Sequence, residues 1–274
     1  MKALIFGSGS IACRHSRILA KLGYQSICVS SREIKPRDLY HKNNFLKIIT
    51  YEKSILESAD IFVIANITSQ HSSNVQKLIN MGIPPNKIFC EKPGPSEFFG
   101  INILYNLEFL EVLDNIGPPE EIKHCADARV WPSDIPWKKR YVFRYSQGGG
   151  VFLTHSHELI HCFKDALPKS FFNEKTLYLK DQDGKNVCIY FKGSFNNISF
   201  ELDLKSDNPS RYWNHKEALI HFYGETPKLI KNKRIIHITK EMIENSYINM
   251  WKQILSDSSI ITQKNFTWVL KNVF

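Results

Sequence analysis

The chain has 274 residues, 43% hydrophobic and 23% charged, which is enough apolar material for one large or two modest domains and too much for a disordered chain. Its formal charge of +9 fits an anionic ligand, but no dense Lys/Arg block with interleaved aromatics points to nucleic acid, and no apolar run approaches the length that spans a bilayer. The six cysteines, at 13, 28, 90, 125, 162 and 188, are widely spaced with no C-x-x-C pair; with no secretory pattern after Lys2, they predict reduced thiols and a cytoplasmic location.

Ala3 to Phe6 is a short apolar run, the pattern of a buried parallel strand. Gly7-Ser8-Gly9-Ser10-Ile11-Ala12 follows as G-x-G-x-x-A, then a helical stretch from Cys13 to Leu22 closed by Gly23, then a strand from Ser26 to Ser30. This order is what a dinucleotide site requires. Gly7 permits the tight turn, Gly9 lets the backbone approach a pyrophosphate, and Ala12 lets the helix pack closely on the strand. The helix N-terminus offers N–H groups and a positive dipole end to phosphates. Gly7, Ser8, Gly9, Ser10 and Ile11 are therefore candidate cofactor-binding residues. Ser30, Ser31 and Arg32 stand where an acidic residue usually holds the ribose 2′-hydroxyl of NAD. Two hydroxyls and a guanidinium accommodate a 2′-phosphate, so NADP(H) is favoured, with NAD(H) the second choice.

Farther along, Lys47 to Thr50 reads as a short strand, Glu52 to Ser58 as a short helix, and Ile61 to Ile67 as another buried strand. A helix over about 70–81 is closed by Gly82, and a strand from Lys87 to Cys90 runs into Glu91-Lys92-Pro93. The alternation implies βαβ crossovers and a doubly wound parallel sheet, whose ligands bind at the carboxyl ends of the strands. Gly7, Ser30, Asn66 and Lys92 lie at those ends. Lys92 is then the candidate proton donor or acceptor beside a nicotinamide.

Four features resemble the glucose–fructose oxidoreductase/inositol dehydrogenase (Gfo/Idh/MocA) family. Gly7 to His15 resembles the family's opening, although Ala12 stands where glycine is usual. Ala65 to His71 resembles its strand-end segment with a trailing histidine, Glu91-Lys92-Pro93 its hallmark, and Gly148-Gly149-Gly150-Val151 with Ser156-His157-Glu158 its second-domain active-site helix. The resemblance implies a Rossmann domain followed by an α+β domain with an open, mostly antiparallel sheet. It adds Thr68, His71 and Glu91 as cofactor-binding residues, Tyr105, Thr154 and Glu158 as substrate-binding residues, and His157 as a catalytic residue that shares the proton or orients the substrate oxygen. It also implies a sugar-like substrate and a homodimer or homotetramer formed through the C-terminal sheet. Two departures stand out. The segment after Pro93 is trimmed by about one helix, and Thr154 and Ile160 occupy positions where aspartates are common.

Leu107 to Ile116 reads as a helix ended by Gly117-Pro118-Pro119, which sets the domain boundary: residues 1–118 form the dinucleotide-binding domain and 119–274 the substrate and oligomerisation domain. Glu121 to Trp131 reads as a strand ended by Pro132. The loop from Ser133 to Gln147 is rich in aromatic and basic residues; its Trp137 and Arg144 are candidate substrate contacts, suited to an anionic small molecule. Strands follow over 176–180, 187–191, 198–205, 218–223 and 235–239, with a hairpin signal at Asp183-Gly184, and 241–257 reads as an amphipathic helix. His157-Glu158-Leu159-Ile160-His161 spells H-E-x-x-H, but Lys164 and Leu167 stand where the metzincin extension needs glycine and histidine. No metal is expected. The reading is an NADP(H)-dependent oxidoreductase acting on a carbinol/carbonyl pair. The alternatives are a non-catalytic NADP-binding sensor or subunit and, behind it, a zinc hydrolase.

Overall fold

The apolar runs of the first third become neighbouring parallel strands, since such runs are buried on both faces only when helices cover each side of the sheet. A computed structural model describes residues 1–29, 45–48, 56–91, 99–100, 119–127, 172–180, 186–195, 198–203, 205–224 and 232–257. The chain divides into two units, Met1–Asn106 with Ser246–Thr267, and Leu107–Asn245 with Trp268–Phe274.

In the first unit the strands are β1 (Lys2–Phe6), β2 (Gln25–Val29), β3 (Phe45–Ile48), β4 (Ile61–Ile64), β5 (Ile88–Glu91) and β6 (Phe99–Gly100). All pairings are parallel, in the order β3-β2-β1-β4-β5-β6. This is the strand order of the doubly wound dinucleotide-binding fold, and it reverses between β1 and β4. Helix α1 (Ser10–Lys21) follows β1, and α2 (His71–Asn80) follows β4 after a 3-10 turn at Thr68–Gln70.

Alternate residues of each strand feed separate cores. Ala3, Ile5, Cys28, Val63 and Phe89 pack with Ala12, Ile18 and Leu19 of α1 on one face. Leu4, Phe6, Ile27, Phe62, Ile64 and Cys90 pack with Val75 and Leu78 of α2 on the other. A third helix, α3 (Lys240–Asp257), comes from the far end of the chain. Its residues from Ser246 onward belong to the first unit, and Tyr247, Met250 and Trp251 are buried in the α1-side core. The sequence pattern groups them with 119–274; the tertiary structure packs them on the parallel sheet.

The second unit is a seven-stranded mixed sheet, ordered β13-β12-β11-β7-β10-β9-β8. Its strands are β7 (Glu121–Asp127), β8 (Phe172–Lys180), β9 (Asn186–Phe195), β10 (Ile198–Asp203), β11 (Lys205–Asn214), β12 (Ala218–Gly224) and β13 (Arg234–His237). Four pairings are antiparallel, and β10–β7 and β12–β13 are parallel. Sequence patterning misses β11, whose first half, Lys-Ser-Asp-Asn-Pro-Ser, has the composition of a loop. The ladder shifts register between Lys205 and Ser210, so Pro209 falls where regular pairing is interrupted.

Several boundaries move: β4 stops at Ile64, so Ala65-Asn66-Ile67 form the turn after it, and β3 begins at Phe45 rather than Lys47. The expected helix over 107–116, the boundary at Gly117-Pro118 and the Asp183-Gly184 turn lie outside the described residues.

Candidate functional site

The site sits where the strand order reverses, at the carboxyl ends of β1 and β4. Gly7 leaves β1 with φ of 125°, and its N–H donates to Val29 O at 2.9 Å. A Cβ built there would lie 2.6 Å from Ala65 O and 3.0 Å from Asn66 Cα, both backbone atoms of the turn after β4. Gly7 is therefore required by its conformation and by the neighbouring chain together. Cys28 Sγ donates to Gly7 O at 2.9 Å and fixes the other side of the turn.

Gly9 differs. It caps α1 with an extended backbone, φ −80° and ψ −179°, which any residue adopts, and a Cβ there would meet no atom of the described residues within 4 Å. Among the described residues no side chain caps the helix, which suits its first N–H groups to a ligand or solvent. A glycine that neither its φ nor its neighbours require, in front of an uncapped helix, is what a phosphate-binding turn needs. Ser8 is buried, Ile11 is half-buried in the first turn of α1, Ser10 begins that helix, and Ala12 is fully buried against the sheet.

Asn66 completes this corner. Its Nδ2 donates to Gln70 Oε1 at 2.8 Å, while its Oδ1 is buried without a hydrogen-bond partner among the described residues. An unsatisfied buried acceptor beside the glycine turn suits a ligand hydroxyl or amide. His71 is buried at the start of α2, and its Nε2 lies 3.1 Å from Asn66 O. A carbonyl only accepts, so Nε2 carries the proton, and His71 braces the turn that presents Asn66. Thr68 begins the 3-10 turn between them.

Glu91 ends β5 on the same edge of the sheet, but its Oε1 is 2.9 Å from His15 Nε2 inside the core. Its neighbour Cys90 is held in the thiol form, its pKa driven far up by burial and then by the Glu91 charge. Lys92 lies outside the described residues, as do Ser30, Ser31, Arg32, Tyr105, Trp137, Arg144, Thr154, His157 and Glu158. The described candidates Gly7, Ser8, Gly9, Ser10, Ile11, Asn66, Thr68 and His71 cluster around the β1–β4 reversal. His15 and Trp251 are buried partners in a hydrogen bond that patterning missed. His15 was visible as the last residue of the opening motif; Trp251 carried no local signal.

In the second unit, one face of the sheet brings Lys123 Nζ to 3.0 Å from Glu201 Oε2 and Tyr212 OH to 3.1 Å from Glu121 Oε2. Burial, then the Glu201 charge, pushes the Cys125 thiol up to about 12, and burial and Glu121 raise the Tyr212 phenol. Among the described residues no group of three or more His, Cys, Asp or Glu is placed to hold a metal ion, and the H-E-x-x-H segment lies outside them.

No family model matches the sequence, and no curated protein matches it. Solved structures do match. Biliverdin reductase from Synechocystis sp. PCC 6803, in complex with biliverdin and NADP+, aligns at a TM-score of 0.68 with 10% identity, over 99% of this chain and 96% of that one. UDP-N-acetylglucosamine 3-dehydrogenase from Acidithiobacillus ferrooxidans aligns at 0.63 with 12% identity, over 99% and 96%. At such identities the likeness establishes the fold: a two-domain, Rossmann-type α/β architecture.

Proposed function

We propose that the protein is an NADP(H)-dependent oxidoreductase that interconverts a carbinol and a carbonyl on a sugar, nucleotide-sugar or related small molecule. The observation that carries this reading is the corner at the β1–β4 reversal. There, among the described residues, a glycine with open space before it stands at a helix N-terminus that no side chain caps, beside an Asn66 Oδ1 without a hydrogen-bond partner. Two proteins of the same fold support it, one solved with NADP+ and biliverdin and one named for a nucleotide-sugar dehydrogenase activity. Their different substrates leave the substrate class resting on the sequence resemblance.

A bound nicotinamide cofactor supplies or accepts a hydride at its ring C4. The chain's own residues do the rest. Backbone N–H groups from Gly9 onward bind the pyrophosphate, and Ser30, Ser31 and Arg32 bind the 2′-phosphate. Lys92 gives or takes the proton at the substrate oxygen, a role open to a lysine whose pKa is lowered by burial and a cationic neighbour. His157 orients that oxygen or shares the proton, and Tyr105, Trp137, Arg144, Thr154 and Glu158 hold the substrate. Thr154 cannot serve as a charged partner of His157, and this favours the second reading, an NADP-binding sensor or subunit without chemistry.

Fluorescence titration with NADPH and NADH, followed by a panel of keto sugars, nucleotide sugars and linear tetrapyrroles, separates the readings. Steady oxidation of NADPH with any member supports the enzyme. Tight NADPH binding with no turnover across the panel supports the sensor. No binding of either cofactor refutes both.

A further inference from the structure

Two imidazoles meet at the edge of the second unit's sheet. Register places Lys123, Tyr212, His221 and His237 side by side across β7, β11, β12 and β13. The first two are matched to carboxylates: Lys123 Nζ lies 3.0 Å from Glu201 Oε2, and Tyr212 OH donates to Glu121 Oε2 at 3.1 Å. The last two face each other. His221 Nδ1 is 3.3 Å from His237 Nδ1, and the ring planes stand at 83°.

The backbone holds both rings to this meeting. β12 and β13 run parallel with His221 and His237 as register partners, and Ile238 N donates to His221 O at 2.9 Å. On the other side of β12 the ladder to β11 shifts. Tyr212 pairs with His221 and Arg211 with Tyr223, so Phe222 is the extra residue of a bulge immediately after His221. Bulges re-aim the side chains beside them. This one is fastened by Trp213, whose ring centroid is 5.7 Å from that of Phe222, and by the Arg211 guanidinium, 4.4 Å from the same centroid. His221 is only 4% exposed, whereas His237 is exposed. One ring is set in the sheet and the other meets it from the solvent side.

At this separation one Nδ1 donates a proton and the other accepts it. The same spacing suits a metal. Two nitrogens that each lie about 2.0–2.1 Å from a tetrahedral zinc ion are about 3.3–3.4 Å apart. We propose that His221 and His237 form a two-histidine site for an exchangeable divalent transition cation of the zinc class, with water in its remaining positions. Imidazole suits such ions, while magnesium and calcium take oxygen ligands. The cation replaces the shared proton. The donating ring moves that proton from Nδ1 to Nε2, which leaves the charge of the pair unchanged and turns both Nδ1 lone pairs to the metal. The exposure of His237 gives the ion an entry path and room for water. Two protein ligands are fewer than the three or four of catalytic and structural zinc sites, so the ion exchanges readily. β13 ends the sheet, and an ion held by β12 and β13 together fastens that edge strand. The site is separate from the H-E-x-x-H segment and does not rest on the cofactor reading.

Calorimetry tests it on the full chain, stripped with chelator and titrated with zinc chloride. The wild type should bind zinc with a Kd below about 1 mM and give no binding heat with magnesium. His237→Gln is a substitution at an exposed position; its amide keeps a hydrogen-bonding group but lacks the imidazole nitrogen. Its zinc affinity should fall at least about tenfold. His161→Ala, which removes a histidine of the H-E-x-x-H segment, should bind zinc as the wild type does. No zinc binding by the wild type, or wild-type affinity in His237→Gln, overturns the proposal. Binding lost in His161→Ala and kept in His237→Gln assigns the zinc to the other segment and overturns it too. The 15N spectrum of the wild-type histidines gives a readout that needs no variant to fold. One equivalent of zinc should shift the Nδ1 signals of two histidines together, with both rings as Nε2–H tautomers. A shift of a single histidine, or a shift at Nε2, overturns the proposal.

Discussion

Two glycines of one turn should respond in opposite ways to the same methyl group. In Gly7→Ala the new Cβ meets Ala65 O at 2.6 Å and Ala65 C at 2.9 Å, and that backbone is tied to β1 by the 2.9 Å bond from Ala65 N to Phe6 O. Neither side can move away without opening the β1–β4 ladder. A side chain held at φ of 125° costs about 1–3 kcal/mol. The overlap adds about 1–3 kcal/mol, as for an overpacked core. The sum, about 2–6 kcal/mol, is a large part of an ordinary domain stability of about 5–15 kcal/mol, and lowers Tm by roughly 5–20 °C. In Gly9→Ala the methyl meets nothing of the described residues within 4 Å and φ is −80°, so the change acts mostly through the unfolded chain. Its stability should stay within about 1 kcal/mol of wild type, on either side. The methyl does occupy the approach to the α1 N-terminus, so NADPH affinity should fall at least about tenfold, or 1.4 kcal/mol. Urea unfolding without cofactor gives the first quantity and NADPH fluorescence titration the second. A Gly9→Ala protein that binds NADPH normally, or that is destabilised as much as Gly7→Ala, would refute the assignment of the two glycines.

Arg32→Ala should abolish a preference for NADPH over NADH, because each charged hydrogen bond to the 2′-phosphate contributes about 1.5–3 kcal/mol; equal wild-type Kd values for the two cofactors would already contradict this. Lys92→Ala should leave NADPH affinity within a few-fold while kcat falls by about 10²–10⁴, with His157→Ala falling less if it only orients substrate; normal turnover in Lys92→Ala removes the mechanism. The Cys125 thiol, pushed up to about 12 from 9.0, keeps its proton when folded at pH values where the unfolded chain has lost it. Its contribution to stability is therefore complete below about pH 9 and declines as pH rises towards about 12. Urea midpoints at neutral and alkaline pH should fall less steeply in Cys125→Ala than in wild type, and equal slopes would count against a buried thiol.

The fold of the first unit was legible in short windows of sequence. Residues 3–6, 27–29 and 61–64 are continuous apolar runs because a parallel strand covered on both faces needs no polar side, and the turn after Phe6 announces itself by two glycines. The purpose of each glycine was not separable there. The approach of Ala65 and Asn66, together with a φ of 125°, distinguishes Gly7, which the protein itself requires, from Gly9, which neither its φ nor its described neighbours require. Strand β11 was hidden because Asn208-Pro209-Ser210 has loop chemistry and pairs only through an irregular ladder. Tertiary structure alone decided the partners of His15. Glu91 and Trp251 are 76 and 236 positions from it in the chain, and a hydrogen bond across such distances leaves no periodicity or spacing to read. It is the packing of α3 against α1 that brings an indole N–H to an imidazole and thereby sets which nitrogen carries the proton.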